Sequence, residues 1–467
     1  MDRRTKIVCT IGPVTADFET LSRLYEAGMD VVRLNMSHSD HETARRIINW
    51  IKTLNRKVRF PVPVLLDTQG PEIRTGDTDT AVALEQGDEI SLRVAGPVVD
   101  GEIHVNYPDL PAAVETGSAL TLDNGLINLE VIGKSAACVR CRVVDGGLLG
   151  SRKHVNVPGV HINMPSITAK DRDDILFGME HDVDYVALSF VRSAGDVMEL
   201  RHLLGRKNAS LKVIAKIENR EGLENAEEIA RAADGVMVAR GDLGIEIDIA
   251  AMPNVQRELV RTCARLGKRC IVATHLLESM IENPIPTRAE VTDVANAVYE
   301  GVDAVMLSGE TSVGRYPVRS VKQLSKIAAA SERFPGLGFA RELETDTDKH
   351  HLAVAAAGLA ESIAAAGIVV ITRRGLMADL VTSCQPPHVP IYVFTNNSQA
   401  RRRLMLNRGV YAYRTAFSTQ PEKTIQTALG ALRDREGIGP DARVVVLSDV
   451  LAEARVDAIQ IRSVSGG

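Results

Sequence analysis

Aromatic side chains are scarce: Phe, Tyr and Trp make up 4% of the 467 residues, with a single Trp. That leaves few rings on which bases could stack. Nor is charge of one sign in surplus, since 55 Lys and Arg face 60 Asp and Glu for a net charge of -5. No overall field draws the chain to nucleic acid or to an anionic membrane, and the expected partner is a small molecule. The six cysteines (Cys9, Cys138, Cys141, Cys263, Cys270, Cys384) are too dispersed for a disulfide framework and read as reduced thiols of a cytoplasmic protein. Long uncharged apolar runs are missing too. The nearest, 352–371, is Ala-rich and carries Glu361 near its centre, where an acidic residue costs ~2.5–3.5 kcal/mol in a membrane. It reads as a helix, a turn at Gly367 and a strand. The opening MDRRTKIVCTIGP holds only a short β-branched run, too brief for a signal peptide.

What is present is an ordinary folding composition, 45% hydrophobic and 25% charged, and a length that suits about three domains. Short runs of β-branched and aliphatic residues alternate with stretches of helical period, which predicts a parallel sheet with crossover helices. Strands are expected at 5–12, 31–37, 62–68, 185–191, 212–218, 235–242, 269–275 and 304–310. Eight such strands, apolar throughout, fit a (β/α)8 barrel. Between the last two, Thr287 and Glu290 have capping-box spacing, with Val291, Val294, Ala295 and Val298 forming one apolar helix face.

After the third strand, roughly 71–162 changes texture to alternating strands broken by Asp-Asn-Gly and Asp-Gly-Gly, the pattern of an inserted all-β domain with a β-barrel-like form. Helical periodicity resumes at KDRDDILFGMEHD, so the barrel domain is expected over 1–70 and 163–340. The polar tract 341–351 has the composition of a linker. A second alternation over 352–467, with strands in GIVVIT, VPIYVFT and RVVVLSD, predicts a smaller open α/β domain.

Barrels present the C-terminal ends of their strands to the active site. Strand two ends Arg33-Leu-Asn35-Met-Ser37-His38, and period two places Arg33, Asn35 and Ser37 on one face. Strand three ends at Asp67-Thr68, strand five at Lys216-Ile-Glu218, strand six at Arg240-Gly241-Asp242 and strand seven at Thr274-His275. Lys216 and Glu218 are expected to share a face, as are Arg240 and Asp242. Buried charge needs a partner or a ligand. Glu218 and Asp242 supply the one or two carboxylates that Mg2+ takes, and a lysine with arginines around a divalent cation forms a clamp suited to a transferring phosphoryl group. The structural alternative is a set of Lys–Glu and Arg–Asp ion pairs sealing the barrel top.

Other motifs are weaker. Cys138-Val-Arg-Cys141 has zinc spacing but no second pair, and strand alternation points its cysteines to opposite faces. His38, His41, His350 and His351 lack a third ligand and read as exposed loop residues. Gly309 to Tyr316 resembles a Walker A loop, but Arg315 and Tyr316 stand where Lys and Ser/Thr are needed; a tight loop is expected there, after the eighth strand, where barrels often place a phosphate site.

The runs TKIVCTIGP, GMDVVRLNMSHSDHE, LLDTQGPEIRTG, KIENREGLEN, MVARGDLGIEI and ATHLLESMIENPIPTRAEVTDVANAVYEGVDAVMLSGETSVGRYPV together resemble the pyruvate kinase family. The resemblance is dense in the barrel, looser in the insertion (GGLLGSRKHVNVPG) and weakest in the last domain. It implies phosphoryl transfer from phosphoenolpyruvate to ADP, giving pyruvate and ATP, with Mg2+ or Mn2+ and K+. Lys216 is implied to stabilise the transferring group, Glu218 and Asp242 to hold Mg2+, and Arg33 to contact phosphate. Asp242, the Gly241 backbone and Thr274 are implied at the substrate carboxylate, with Thr274 near the enolate protonation step. Asn35, Ser37, Asp67 and Thr68 are implied as K+ ligands, and Asn35, His38, Arg74 and Lys153 at the nucleotide. The insertion becomes a lid, the last domain a regulatory or oligomerisation domain, and the assembly a homotetramer. Glu72 stands where, in the family, Glu goes with K+ dependence, which implies K+ activation.

Some positions depart from the family. Gln69 replaces a common Lys and His275 a common Gln. The run Thr372-Arg373-Arg374-Gly375-Leu376-Met377 lacks most hydroxyls of a sugar-phosphate loop, and EARVDAIQIRSV lacks the usual Gly-x-Thr-Asn, so activation by that mode is not implied. Arg373 and Arg374 still offer an anion site. Two other functions stay open on the residues alone: a Mg2+-dependent barrel acting on an enolate, such as an aldolase or lyase of 2-oxo acids, and a catalytically silent relative that senses metabolites.

Overall fold

The computed structural model describes residues 3–97, 101–160, 164–208, 210–448 and 458–465. The eight apolar runs are strands β1 (Lys6–Thr10), β2 (Val31–Asn35), β3 (Val64–Asp67), β4 (Tyr185–Leu188), β5 (Lys212–Ile217), β6 (Gly235–Ala239), β7 (Arg269–Ala273) and β8 (Ala304–Leu307). All pair in parallel in chain order, and β8 returns to β1 to close the barrel. The strands read as unbroken apolar runs because both faces are covered. Val8, Leu65, Ile214, Met237 and Ile271 fill the interior, while Val32, Val186, Val213 and Val272 face the helical ring.

Each strand ends one to three residues sooner than its apolar run suggests, because polar residues at the ends turn into loops or helices. The correction matters at β6. Arg240–Glu246 is a helix, so Arg240 and Asp242 do not share a strand face: Arg240 Nη1 reaches Asp293 Oδ1 at 2.7 Å, between the outer helices, while Asp242 faces the barrel mouth. The Thr287–Glu290 capping box forms as expected at helix Arg288–Glu300. Its buried face is Val294, Ala297 and Val298, whereas Val291 is exposed. After β8, where a tight loop is expected, the chain makes one helical turn, Gly309–Ser312. A Cβ on Gly309 would sit 2.6 Å from Ile281 Cδ1, so a larger residue there would displace that side chain.

Between β3 and β4 the inserted segment forms a six-stranded sheet and a two-stranded sheet around its own apolar core. The Asp-Asn-Gly turn is a hairpin in which Asp123, Asn124 and Gly125 all have positive φ, the reason those residue types occupy it. Cys141 is buried and Cys138 half-buried on the opposite face. No group of three or more His, Cys, Asp or Glu fit for a metal occurs among the described residues.

The C-terminal sheet holds β9 (Ile368–Ile371), β10 (Ile391–Thr395), β11 (Val410–Arg414), β12 (Arg443–Ser448) and β13 (Ala458–Ser463) in the order β11-β10-β9-β12-β13. β11 and the antiparallel β13 were not expected from the sequence. Part of EARVDAIQIRSV, residues 453–457, lies outside the described residues. The turn before β9 falls at Ile363–Ala364, not at Gly367, where a Cβ would meet the Tyr392 ring at 2.5 Å. The tract 341–351 is not a free linker either. Glu342 pairs with Arg261 at 2.8 Å and Glu344 with Arg231 at 3.1 Å, and helix Asp348–Ser362 begins inside it, carrying His350 and His351. His41 likewise opens a helix, pairs with Asp174 at 2.7 Å and stacks on Phe177.

Candidate active site

Parallel strands bring the polar residues at their C-terminal ends to one mouth of the barrel, and there the side chains of β2, β3 and β5 meet. Lys216 Nζ lies 3.1 Å from Asp67 Oδ1 and 2.9 Å from Glu218 Oε1. Arg33 Nε lies 2.5 Å from Asp67 Oδ2, and Arg33 Nη1 donates to Thr10 Oγ1 at 2.9 Å. All four charged groups are buried, Asp67 completely. Burial alone would raise the Asp67 pKa, but Arg33 and Lys216 hold it below the usual carboxylate range. Burial works against the Lys216 charge as well, and there Asp67 and Glu218 prevail and raise its pKa. Glu218 is the exception. Burial, reinforced by Asp242 and Asp67, overrides Lys216 and pushes its pKa up to about 7. The site holds more carboxylate than its cations neutralise.

Above these groups opens a cleft of about 290 Å3, lined among others by Arg33, Asn35, Ser37, His38, Lys216, Glu218 and Asp242 from the barrel side. Arg74 and Lys153 reach it from the two chain crossings into the insertion. Neither cation is loose: Lys153 Nζ pairs with Asp123 Oδ1 at 2.9 Å, and Arg74 donates to Glu72 at 2.7 Å and to the Arg152 carbonyl at 2.7 Å. Asp67 and Thr68 lie beneath, out of contact with solvent. Thr274 and Gly241 do not line the cleft. The Gly241 N–H donates to Thr274 Oγ1 at 2.8 Å, and Thr274 Oγ1 donates to its neighbouring Ala273 carbonyl at 2.7 Å. Thr274 and His275 both have positive φ, an uncommon conformation that marks a constrained turn.

Three groups went unread in the sequence. Ser189, which follows β4, accepts from Lys216 Nζ at 2.7 Å and donates to the Thr68 carbonyl at 2.7 Å. The rule that flagged polar strand ends applies to it equally, since YVALSFV contains a serine. Phe190 has φ +53° and aims its N–H at Glu218 Oε2, 2.7 Å away; no local signal marks a backbone donor. His154, next to Lys153, sits 3.2 Å from Glu72 Oε1 and 3.9 Å from Asp242 Oδ1. Burial would raise the Glu72 pKa, but hydrogen bonds from His154 and Arg74 bring it down to about 2. Gln69 Nε2 joins the same carboxylate at 3.1 Å.

The donor set fits a hard divalent cation. Glu218 and Asp242 are two carboxylates facing one cleft, and Asp242 makes no hydrogen bond among the described residues beyond the long approach of His154. Mg2+ takes one or two carboxylates and completes its shell with water and substrate oxygens.

Two buried cations set against surplus carboxylate at a barrel mouth suit the class of enzymes that hold a charged group such as a phosphoryl in flight. Residues 2–321 match the model of the pyruvate kinase barrel domain and residues 350–461 that of the pyruvate kinase alpha/beta domain. The chain is 43% identical over 460 residues to the pyruvate kinase of Geobacillus stearothermophilus, covering 96% of this chain and 78% of that protein. It is 42% identical over 435 residues to the chloroplastic pyruvate kinase isozyme G of Nicotiana tabacum (92% and 77%). Against the chloroplastic plastidial pyruvate kinase 3 of Arabidopsis thaliana it is 39% identical over 473 residues (100% and 83%). The chain belongs to the pyruvate kinase family.

Proposed function

We propose that this chain transfers the phosphoryl group of phosphoenolpyruvate to ADP, giving ATP and, once the enolate takes up a proton, pyruvate. The observation that carries the reading is the Lys216–Asp67–Glu218 cluster with Arg33, buried at the floor of a cleft whose roof supplies two further cations. Lys216 Nζ is the group placed to meet charge developing on the transferring phosphoryl. Arg33, anchored through Nε to Asp67 and through Nη1 to Thr10, presents Nη2 to phosphate oxygens. Glu218 and Asp242 hold Mg2+ or Mn2+. When bound, the metal neutralises charge on the phosphoryl oxygens. Asn35, Ser37, Asp67 and Thr68 hold K+, in keeping with the side-chain and backbone oxygens gathered at the ends of β2 and β3.

The backbone at Gly241, with Asp242 and Thr274, orients the substrate carboxylate, and Thr274 Oγ1 stands near the carbon that is protonated. On the nucleotide side are Asn35, His38, Arg74 and Lys153. Arg74 and Lys153 lie on the two chain segments that connect insertion and barrel, so the insertion acts as a lid whose closure carries cations to the nucleotide and excludes water. The C-terminal domain serves regulation and assembly into a homotetramer, and the protein works in the cytoplasm. Pyruvate formation from phosphoenolpyruvate, measured with and without ADP and with and without K+, tests the reading. ADP-dependent turnover, stimulated by K+ and lost in Lys216→Met, supports it. Turnover without ADP would mean transfer to water instead, and a folded but inactive chain would favour the enolate enzyme or the silent relative.

A further inference from the structure

Behind the cleft lies a second cavity of about 350 Å3, between the base of the insertion and the barrel rim. Glu72, His154 and Phe190 are a wall common to both. Its size and its place at a domain junction are those of small-ligand sites. Much of its surface is apolar, from Ile73, Val157, Val160 and Met164.

Among the described residues four carboxylates line it (Glu72, Glu221, Glu224 and Glu246) against two guanidinium groups. Arg192 Nη2 donates to the Met164 carbonyl at 2.9 Å, Arg220 Nη2 to the Glu246 carbonyl at 3.2 Å, and His154 faces Glu72. Asn156 Oδ1 is buried without a hydrogen-bond partner. Glu224, at the rim, makes no ion pair among the described residues. Burial raises the pKa of Glu246, and the Gly159 backbone and the Arg220 charge offset this only in part. An occupant that brings donors and positive charge suits this wall, and the same carboxylates disfavour the anionic substrates of the neighbouring cleft.

We propose that this cavity binds a small organic cation, with an apolar body against Ile73, Val157 and Met164 and one ammonium group directed to Glu224 and Glu246. Such an occupant touches the wall that carries Phe190, whose N–H holds Glu218, so its presence is felt in the cleft. The inference does not depend on the reaction proposed above.

Benzylammonium is a suitable probe and benzoate its control of matching shape and opposite charge. Calorimetric titration of the whole chain, without substrate or metal, is expected to give saturable benzylammonium binding with a Kd of about 1 mM, in keeping with a fragment of that size. Benzoate binds at least about tenfold more weakly, Glu246→Gln weakens benzylammonium about threefold, and Val157→Trp, which fills the cavity, removes the saturable signal. A co-crystal with benzylammonium locates the probe without any substitution. Absence of saturable binding in the unaltered chain, equal binding of benzoate, unchanged binding in a folded Val157→Trp variant, or a probe located elsewhere overturns the proposal.

Discussion

At the N-terminal mouth of the barrel, Arg269 meets Asp303 at 2.8 Å and Arg402 meets Asp184 at 2.8 Å. The carboxylates there also take strand N–H groups, Cys270 to Asp303 at 3.0 Å and Val64 to Asp184 at 3.1 Å. Lys6 Nζ donates to the Val410 carbonyl at 2.8 Å, Tyr185 Oη donates to the Arg403 carbonyl, and Leu406 of the C-terminal domain completes the barrel's inner core. Charge at this mouth is covered and most of it is paired, the exceptions being Lys6, which meets a carbonyl, and Arg403 Nε and Arg408 Nε, which are buried without a partner. At the opposite mouth two buried cations serve three carboxylates, Asp242 is left with one distant partner, and the space above is a cleft. Both mouths carry the cost of burying ions. Only one leaves part of that cost to be relieved by a ligand, and this is how a structural ion-pair network differs from a binding site made of the same residue types.

Substitution of one cation at each mouth should separate the two. Lys216→Met is expected to lower kcat about 10^3-fold, the range seen when one preorganised charge is removed from a transition state, while the variant still folds because Glu218 can take up a proton. Steady-state kinetics with circular dichroism checks this; a variant retaining a tenth of the activity would break the comparison. Arg269→Met should behave the other way. Leaving Asp303 buried without its cation costs about 3 kcal/mol, read as a lower denaturation midpoint, with kcat per folded molecule unchanged. Leu406→Ala, which opens a hole at the covered mouth, should cost about 2–3 kcal/mol without a kinetic effect. Loss of kcat there would show that the C-terminal domain shapes the cleft through the barrel.

The active mouth was largely legible in the sequence, and the covered mouth was not. Lys216 and Glu218 stand two apart at the end of an apolar run, and alternation alone brings them together. Alternation fails at Arg240, where a helix begins directly after β6 and sends the two charged side chains apart. Ser189 was within reach of the strand-end rule. Phe190 was not, because its contribution is a backbone N–H aimed by a positive φ. Leu406 gives no local sign of its role, since it enters the barrel core from another domain. β11 and β13 escaped for a related reason: VYAYR is short and follows Gly409 directly, and β13 is a half-exposed edge strand without a clear apolar face. The acidic tract 341–351 has a linker's composition, and only the positions of Arg231, Arg261 and Arg265 show that it is tied down.

The smallest expected effect separates the mouths by their response to pH and metal. Glu218 is pushed from 4.5 up to about 7 by burial among carboxylates, and Asp184 from 3.8 up to about 6 by burial that Arg402 only partly offsets. An acid whose pKa is higher in the folded state keeps a proton that the unfolded chain has already lost. Each group therefore withdraws stability as pH rises, Glu218 across about pH 4.5 to 7 and Asp184 across about pH 4 to 6. Denaturation midpoints between pH 4 and 8 should fall with rising pH, by a total on the order of 1 kcal/mol or more. Mg2+ should flatten the part above pH 6, as should Glu218→Gln, because both relieve the open mouth. Below pH 6 the share due to Asp184 should persist in either case, because Asp184 lies under the C-terminal domain. A slope that Mg2+ leaves untouched would mean that Glu218 is already neutralised by Lys216, and that the surplus charge at the open mouth resides on Asp242 alone.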